Sequence, residues 1–194
     1  MIGATDSGLS SELQLALAPT PTYRRLLSSS PVRGWRVLLR PGVVVLVIAV
    51  MVPIMAVQRV TLGLVATAAL SWTFAVLLQS IVGLAIVASA PARRIGVVPA
   101  LDLWFAGHIP YSLWMLVVFA LTGMLTAANL SLVIVSAVVP AIWTAFIVTA
   151  FCQTVLGTTA SGARWRAAVH FVSIWAITLS YIAWAAGGWF QLLP

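Results

Sequence analysis

The chain has 194 residues, of which 62% are hydrophobic and only 7% charged, with a mean hydropathy of +1.12. Soluble domains carry roughly 25% charged residues, so a water-soluble fold is excluded and the composition is that of an all-α integral membrane protein. The net charge of +7 arises from ten arginines and no lysine, set against Asp6, Glu12 and Asp102; these arginines flank apolar runs without forming a basic tract, so anionic lipid, and no nucleic acid, is the expected partner.

Residues 1–22 are rich in Ser, Thr and Pro and are expected to be loosely ordered, with one short helix around "SELQLALA". They lack the basic start, apolar centre and small-residue cleavage site of a secretory leader. Residues 23–40, "YRRLLSSSPVRGWRVLLR", alternate arginine with Leu, Val and Trp35. Such a basic amphipathic stretch lies in the headgroup plane, anchored by Arg24, Arg25, Arg33, Arg36 and Arg40. Residues 1–40 thus form a cytoplasmic N-terminal segment, and residues 41–190 a membrane domain.

The first expected span covers residues 41–57, kinked by Pro53 and closed by Arg59. A second covers 62–90, after which "PARRIGVVPALDLWFAGHIP" interrupts the apolar sequence. From Leu103 to Ala163 no formal charge occurs; at 1.5 Å per residue this is about 90 Å of helix, enough for two crossings. A turn at "AANLS", with Asn129, divides it into spans at 111–128 and 130–156, the latter containing Pro140. "GTTASGARWR" breaks the chain again before a fifth span at 167–187.

The arginines test this count of five transmembrane helices. The N-terminal segment holds five, the first connection one (Arg59), the second two (Arg93, Arg94), the third none, the fourth two (Arg164, Arg166) and the tail none. High and low alternate, as the positive-inside rule requires of five spans with a cytoplasmic N-terminus and an outside C-terminus. Arg93, Arg94, Arg164 and Arg166 are then both topology signals and headgroup contacts. Arginine without lysine, with abundant Ala, Val and Gly, points to a GC-rich bacterial genome and hence to the inner (cytoplasmic) membrane as location.

Polar groups inside the apolar sequence are the functional candidates. Asp102 and His108 are six residues apart, about 240° around a continuous helix, so they do not share a face. Asp102 is expected to cap a short interfacial helix that ends at Gly107, with Pro110 opening the next. Trp104 is expected in an aromatic belt with Trp35 and Trp165. The topology brings Asp102, His108, Cys152, Gln153 and His170 to the cytoplasmic ends of their helices. Two histidines can hold a haem or pigment, and His108 and His170 are the cofactor-binding candidates. No pair has metal-ligand spacing, so no metal site is expected and no cofactor is required. Gln79, the amide deepest in a span, is expected to hydrogen-bond a neighbouring helix.

Phosphate-loop, zinc-protease, nucleophile-elbow and dinucleotide motifs are all missing from the sequence. No acid lies within an expected span, and Asp102 has no second carboxylate for paired acid–base work. Catalysis is therefore not expected, and no catalytic residue is assigned.

The chain resembles the Yip family, the Ypt/Rab-interacting five-helix membrane proteins, in a bacterial form. "SPVRGWRVLLRPG" resembles that family's basic, proline-containing lead into its first helix. "LLQSIVGLAIVASAPARRIGVVPALDLWFAGHIPYSLW" resembles its second helix, basic loop and aromatic–glycine–proline approach to the third. "AIWTAFIVTAFCQTVLGTTASGARWRAA" is similar to its fourth helix and the short loop after it. The resemblance implies five spans and a membrane-organising role; eukaryotic members engage small GTPases, and no catalytic residues carry over. The leading expectation is a non-enzymatic scaffold working through helix–helix and lipid contacts, with other membrane proteins or its own copies as partners. Two alternatives stay open: an accessory subunit of a redox or light-harvesting complex, holding a cofactor through His108 or His170, and a small permease or channel component.

Overall fold

A computed structural model of the protein describes residues 10–28, 34–121 and 135–192. Arg33 and the expected turn at "AANLS" lie outside the described residues, which are helical and contain no strand.

Ser10 opens α1 (Ser11–Leu17) by accepting a hydrogen bond from the Leu13 N–H, and Glu12 complements the positive end of the helix. Pro19, which cannot continue α1, instead begins α2 (Pro19–Leu27), where its missing N–H costs nothing. The Thr22 hydroxyl returns to the Ala18 and Gln14 carbonyls and fastens the two helices together. Leu15, Ala16, Thr22 and Tyr23 are buried. Residues 10–28 are therefore packed, contrary to the expectation of a loose tail, because their few apolar side chains find a fitted surface on the helices behind them.

A 3-10 turn (Gly34–Leu38) leads into α3 (Leu39–Val57), which carries Pro53 within it and ends at Gln58 in the left-handed conformation. Thr61 caps α4 (Leu62–Ala88), which packs antiparallel along α3. Along α4 the hydroxyls of Ser71, Thr73 and Ser80 bond the carbonyl four residues back, so these polar groups stay satisfied in apolar surroundings. The Gly34–Met55 and Leu62–Ala88 segments, of 22 and 27 residues, are each long and apolar enough to cross a membrane.

α5 (Val97–Ala106) and α6 (Ile109–Leu121) meet at a break of 46° and make a third crossing if taken as one broken span. Gly107 closes α5, as its sequence position suggested, but with φ −69°. Its lack of a side chain serves another purpose, since a Cβ there would stand 2.6 Å from the Tyr23 hydroxyl. Pro110 lies in the first turn of α6. α7 (Val138–Thr154), of 17 residues, is apolar but short for a crossing, and Pro140 sits in its first turn. α8 (Ala160–Leu192) follows a turn in which Gly157 adopts φ +66° and passes against the Ala92 carbonyl.

The core gathers at one end of the molecule. It joins α1 and α2 (Leu15, Tyr23) to the last turn of α4 (Ile86, Val87), to α5 (Leu103, Trp104, Phe105), to the second half of α7 (Ile147, Phe151) and to the first turns of α8 (Ala163, Ala167). The loops at that end are joined directly, the Arg94 N–H donating to the Val155 carbonyl at 3.0 Å.

Candidate functional site

Three features meet where α5 breaks into α6: an ion cluster, a histidine pair and a cavity. The ion cluster centres on Arg40, at the start of α3. Its Nε and Nη2 donate to Glu12 Oε1 at 3.1 and 3.0 Å, and its Nη1 donates to Asp102 Oδ1. Asp102 is only 5% exposed and lies within α5, not at its start. The expected cap is therefore replaced by an ion pair, since a buried carboxylate needs a cation more than a helix start needs an acceptor. Arg40, expected among the headgroup anchors, is likewise turned inward. Burial opposes ionisation of Glu12, but its backbone hydrogen bond and the Arg40 guanidinium outweigh this and hold its carboxyl below the ordinary value of 4.5.

The remaining expected anchors behave differently. Arg24, Arg25, Arg36, Arg93, Arg94 and Arg164 are exposed, and Arg166 is half-buried. Trp35 and Trp165 are each 70% exposed, in keeping with an interfacial position, whereas Trp104 is 1% exposed and belongs to the core. Gly83 makes that possible: a Cβ on it would stand 2.6 Å from Trp104 Nε1, so only glycine lets the indole lie on the α4 backbone. The rings of Phe151, His108 and His170 surround Trp104 at centroid distances of 5.5, 4.8 and 4.9 Å.

His108 and His170 are 62 residues apart in sequence, yet their Nε2 atoms lie 3.2 Å from one another. Both are buried, at 4% and 2% exposed. Because a carbonyl can only accept, the 2.8 Å contact from His108 Nδ1 to the Trp104 oxygen puts the proton on that nitrogen. With both rings neutral, His108 Nε2 then accepts from His170 Nε2–H, leaving a bare lone pair on His170 Nδ1. That nitrogen, like Trp104 Nε1–H, is buried without a hydrogen-bond partner among the described residues. A haem or pigment ligand needs a free imidazole nitrogen facing a slot. Here the facing nitrogens bond each other and Trp104 packs across both rings, so the pair as folded does not fit a macrocycle. Among the described residues no group of three or more metal-ligating side chains gathers.

The cavity, of about 60 Å³, lies between α3, α4 and the α5–α6 break. Arg40, Gln79 and His108 line one part of it, and Ile48, Trp72 and Met115 another. Gln79, expected to bond a neighbouring helix, makes no hydrogen bond to another described residue, because its amide opens onto this space. Ser112 donates to the His108 carbonyl at 3.1 Å, and the Tyr111 ring stands edge-on to Trp175 at 6.3 Å. By volume the space holds roughly two waters, at about 30 Å³ each. Its lining can host water or a small polar group.

Sequence reasoning missed Tyr23. Its ring packs edge-on to Phe151 at 5.7 Å, and its hydroxyl donates to the Leu103 carbonyl at 3.4 Å. Complete burial keeps that phenol protonated far above its ordinary range. Next to two arginines it read as part of an amphipathic surface, and only its neighbours in space reveal otherwise. Gln153, grouped with Cys152 by sequence, is exposed on α7, while Cys152 is a free thiol inside the core.

These features define a fold that is all-helical among the described residues, with two helices, or three if the α5–α6 pair is one broken span, long and apolar enough to cross a membrane, and a polar cluster at one helical end. No protein family, curated protein or solved structure matches the chain.

Proposed function

We propose that the protein is a five-span component of the bacterial inner membrane, with its N-terminus in the cytoplasm and its C-terminus outside. It organises the membrane without catalysis, in the manner of the Yip proteins it resembles, through helix–helix and anionic-lipid contacts. The observation that carries this reading is the convergence of charge on one end. The α4–α5 loop bearing Arg93 and Arg94 is bonded to the α7–α8 turn, and Arg166 reaches Ser89. On the same core dock α1 and α2, with exposed Arg24 and Arg25 beside buried Tyr23. Arg59 stands at the far end of α3. One basic face and one nearly uncharged face are what a positive-inside protein requires.

Cysteine accessibility tests the orientation. In a Cys152→Ala background, Ala92→Cys and Ser161→Cys should be shielded from an impermeant thiol reagent in intact cells, and Val60→Cys labelled. Labelling of Ala92→Cys and Ser161→Cys together with protection of Val60→Cys would overturn the topology. Extraction in mild detergent tests the role: a colourless homo-oligomer carrying lipid agrees with it, and a stoichiometric coloured assembly refutes it.

The cavity beside Gln79 favours a second reading, a small permease or channel component, since an unpartnered amide opens into space between three helices. Ion flux into liposomes that falls with Gln79→Leu would establish this reading in place of the first. No flux above that of empty liposomes would dismiss it.

A further inference from the structure

A second hollow lies away from the ion cluster, between α4 and α8. It measures about 410 Å³ and is walled by apolar side chains, among them Ile81, Val82, Ala85 and Val169. At one end it meets Arg166, Ser89 and Trp165. Arg166 is fixed there: its Nη2 donates to the Ser89 carbonyl at 3.0 Å, its Nε to the Ser89 hydroxyl at 3.3 Å and its Nη1 to the Gly162 carbonyl at 3.4 Å. Ser89 is the C-terminal cap of α4, so the guanidinium rests on the negative end of that helix.

This fixation leaves charge unmet. A guanidinium has five N–H donors, and three are engaged, which leaves two for a further acceptor. No carboxylate supplies it: Glu12 and Asp102, the acids among the described residues, both bind Arg40. The helix end offsets only a fraction of a unit charge. Beside it Trp165 is 70% exposed, where an indole marks the boundary between headgroups and hydrocarbon. From Ser89 to Ile81 the wall then runs along α4 for about 12 Å with no charged side chain. Cation, aromatic collar and apolar trough follow one another in the order in which a phospholipid presents phosphate, glycerol and acyl chain.

We propose that the groove between α4 and α8 binds one anionic phospholipid, its phosphate on Arg166 and one acyl chain along Val82 and Ala85. This deepens the lipid-contact reading above and rests on it, replacing a diffuse basic face with a single addressed site. The volume argues for a lipid over a free anion. Inorganic phosphate would occupy the mouth alone, whereas the hollow is roughly fourteen water volumes and mostly apolar, a space that a chain fills and that water leaves poorly solvated.

The test is native mass spectrometry of the full chain, purified in mild detergent after equilibration with nanodiscs of either phosphatidylglycerol or phosphatidylcholine. Wild-type protein should retain one phosphatidylglycerol in preference to phosphatidylcholine. Arg166→Gln should lower that preference about tenfold, the size of a lost charge-assisted contact. Ala85→Trp, which fills the trough and leaves Arg166 intact, should lower retention of either lipid. Arg94→Gln, at the same end but outside the groove, removes only diffuse headgroup attraction and should lower the preference clearly less than Arg166→Gln. Undiminished retention by both Arg166→Gln and Ala85→Trp, or an equal loss in Arg94→Gln, would overturn the site in favour of diffuse headgroup attraction. Displacement of phosphatidylglycerol by millimolar inorganic phosphate would show that only an anion pocket exists. Should Arg166→Gln not fold, Arg166→Lys keeps the charge but loses the fork, and retention equal to wild type would then count against the proposal. Cysteine labelling of the same variants separates the two ideas: altered lipid retention with unchanged orientation bears on the groove alone.

Discussion

At the basic end, Trp104, Phe151 and Tyr23 close on one another with almost no accessible surface; along the rest of α3 and α4, Leu46, Leu70, Leu77 and Ile81 stand outward with more than half of theirs. Large apolar side chains supply both regions. In the first, apolar side chains are held by shape, with Gly83 and Gly107 cut to fit Trp104 and Tyr23. In the second they stand outward on helices long and apolar enough to cross a membrane, where contact with lipid would replace contact with protein. An apolar surface of that extent on a soluble protein would aggregate; it suits contact with hydrocarbon. The lesson is that hydrophobicity suits these helices to a bilayer, while specificity sits in the few polar and small residues at one end.

The largest effect is expected from Arg40→Ala, which leaves Asp102 as an unpaired carboxylate in the core. Removal of one partner from a buried pair costs about 3–5 kcal/mol, and partial exposure of Arg40 places this case near 3. Thermal unfolding in detergent should show it, with Arg40→Lys recovering part of the loss. A melting temperature like that of wild type would mean that the cluster is dispensable.

Next come two glycines on the same helix. Gly83→Ala forces the Trp104 indole off the α4 backbone and should cost about 1–3 kcal/mol. Gly63→Ala meets nothing within 4 Å and should be neutral or stabilising by about 0.5–1 kcal/mol through helix propensity. The same chemical change thus has opposite signs at the two ends of α4. Equal effects in a melting assay would erase the distinction between the regions.

A smaller, pH-dependent effect should come from Glu12. Its folded-state pKa lies below the ordinary 4.5, so its contribution to docking α1 is fully present above that pH. It is lost as pH falls through the lower folded-state value, where the carboxylate gains its proton and releases Arg40. Hydrogen exchange of the α1 amides should accelerate there, and Glu12→Gln should flatten the dependence. The smallest effect is expected for Leu70→Ser on the outward face, within about 0.5 kcal/mol in detergent; a loss as large as that of Gly83→Ala would place Leu70 in an interface between copies.

Much of the helical layout was legible in the chain. Gly107 and Pro110 marked the break between α5 and α6, and the unbroken apolar runs over 41–57 and 62–90 foretold α3 and α4, whereas the Thr61 cap of α4 was not singled out. The site was legible only as a set of residue types. Asp102 and His108 were singled out as unusual, but their partners were not, since Glu12 and Arg40 are separated from Asp102 by 90 and 62 positions and the two histidines by 62. Arg40 and Arg36 look alike in sequence, and Trp104 resembles Trp165; a one-dimensional pattern cannot tell an arginine facing headgroups from one facing a buried acid.

Composition determined that this chain forms apolar helices suited to a bilayer, with arginine gathered between them, because the energetics of burial in hydrocarbon depend on residue type summed along a segment. Only the tertiary structure decided which polar residues meet: that Arg40 serves two carboxylates, that His108 and His170 bond each other, and that Arg166 stands over an apolar groove with two donors unengaged. Pairing of this kind depends on distances of a few ångströms between helices far apart in the chain, and such distances are set by the fit of small residues such as Gly83 and Gly107, not by any local periodicity.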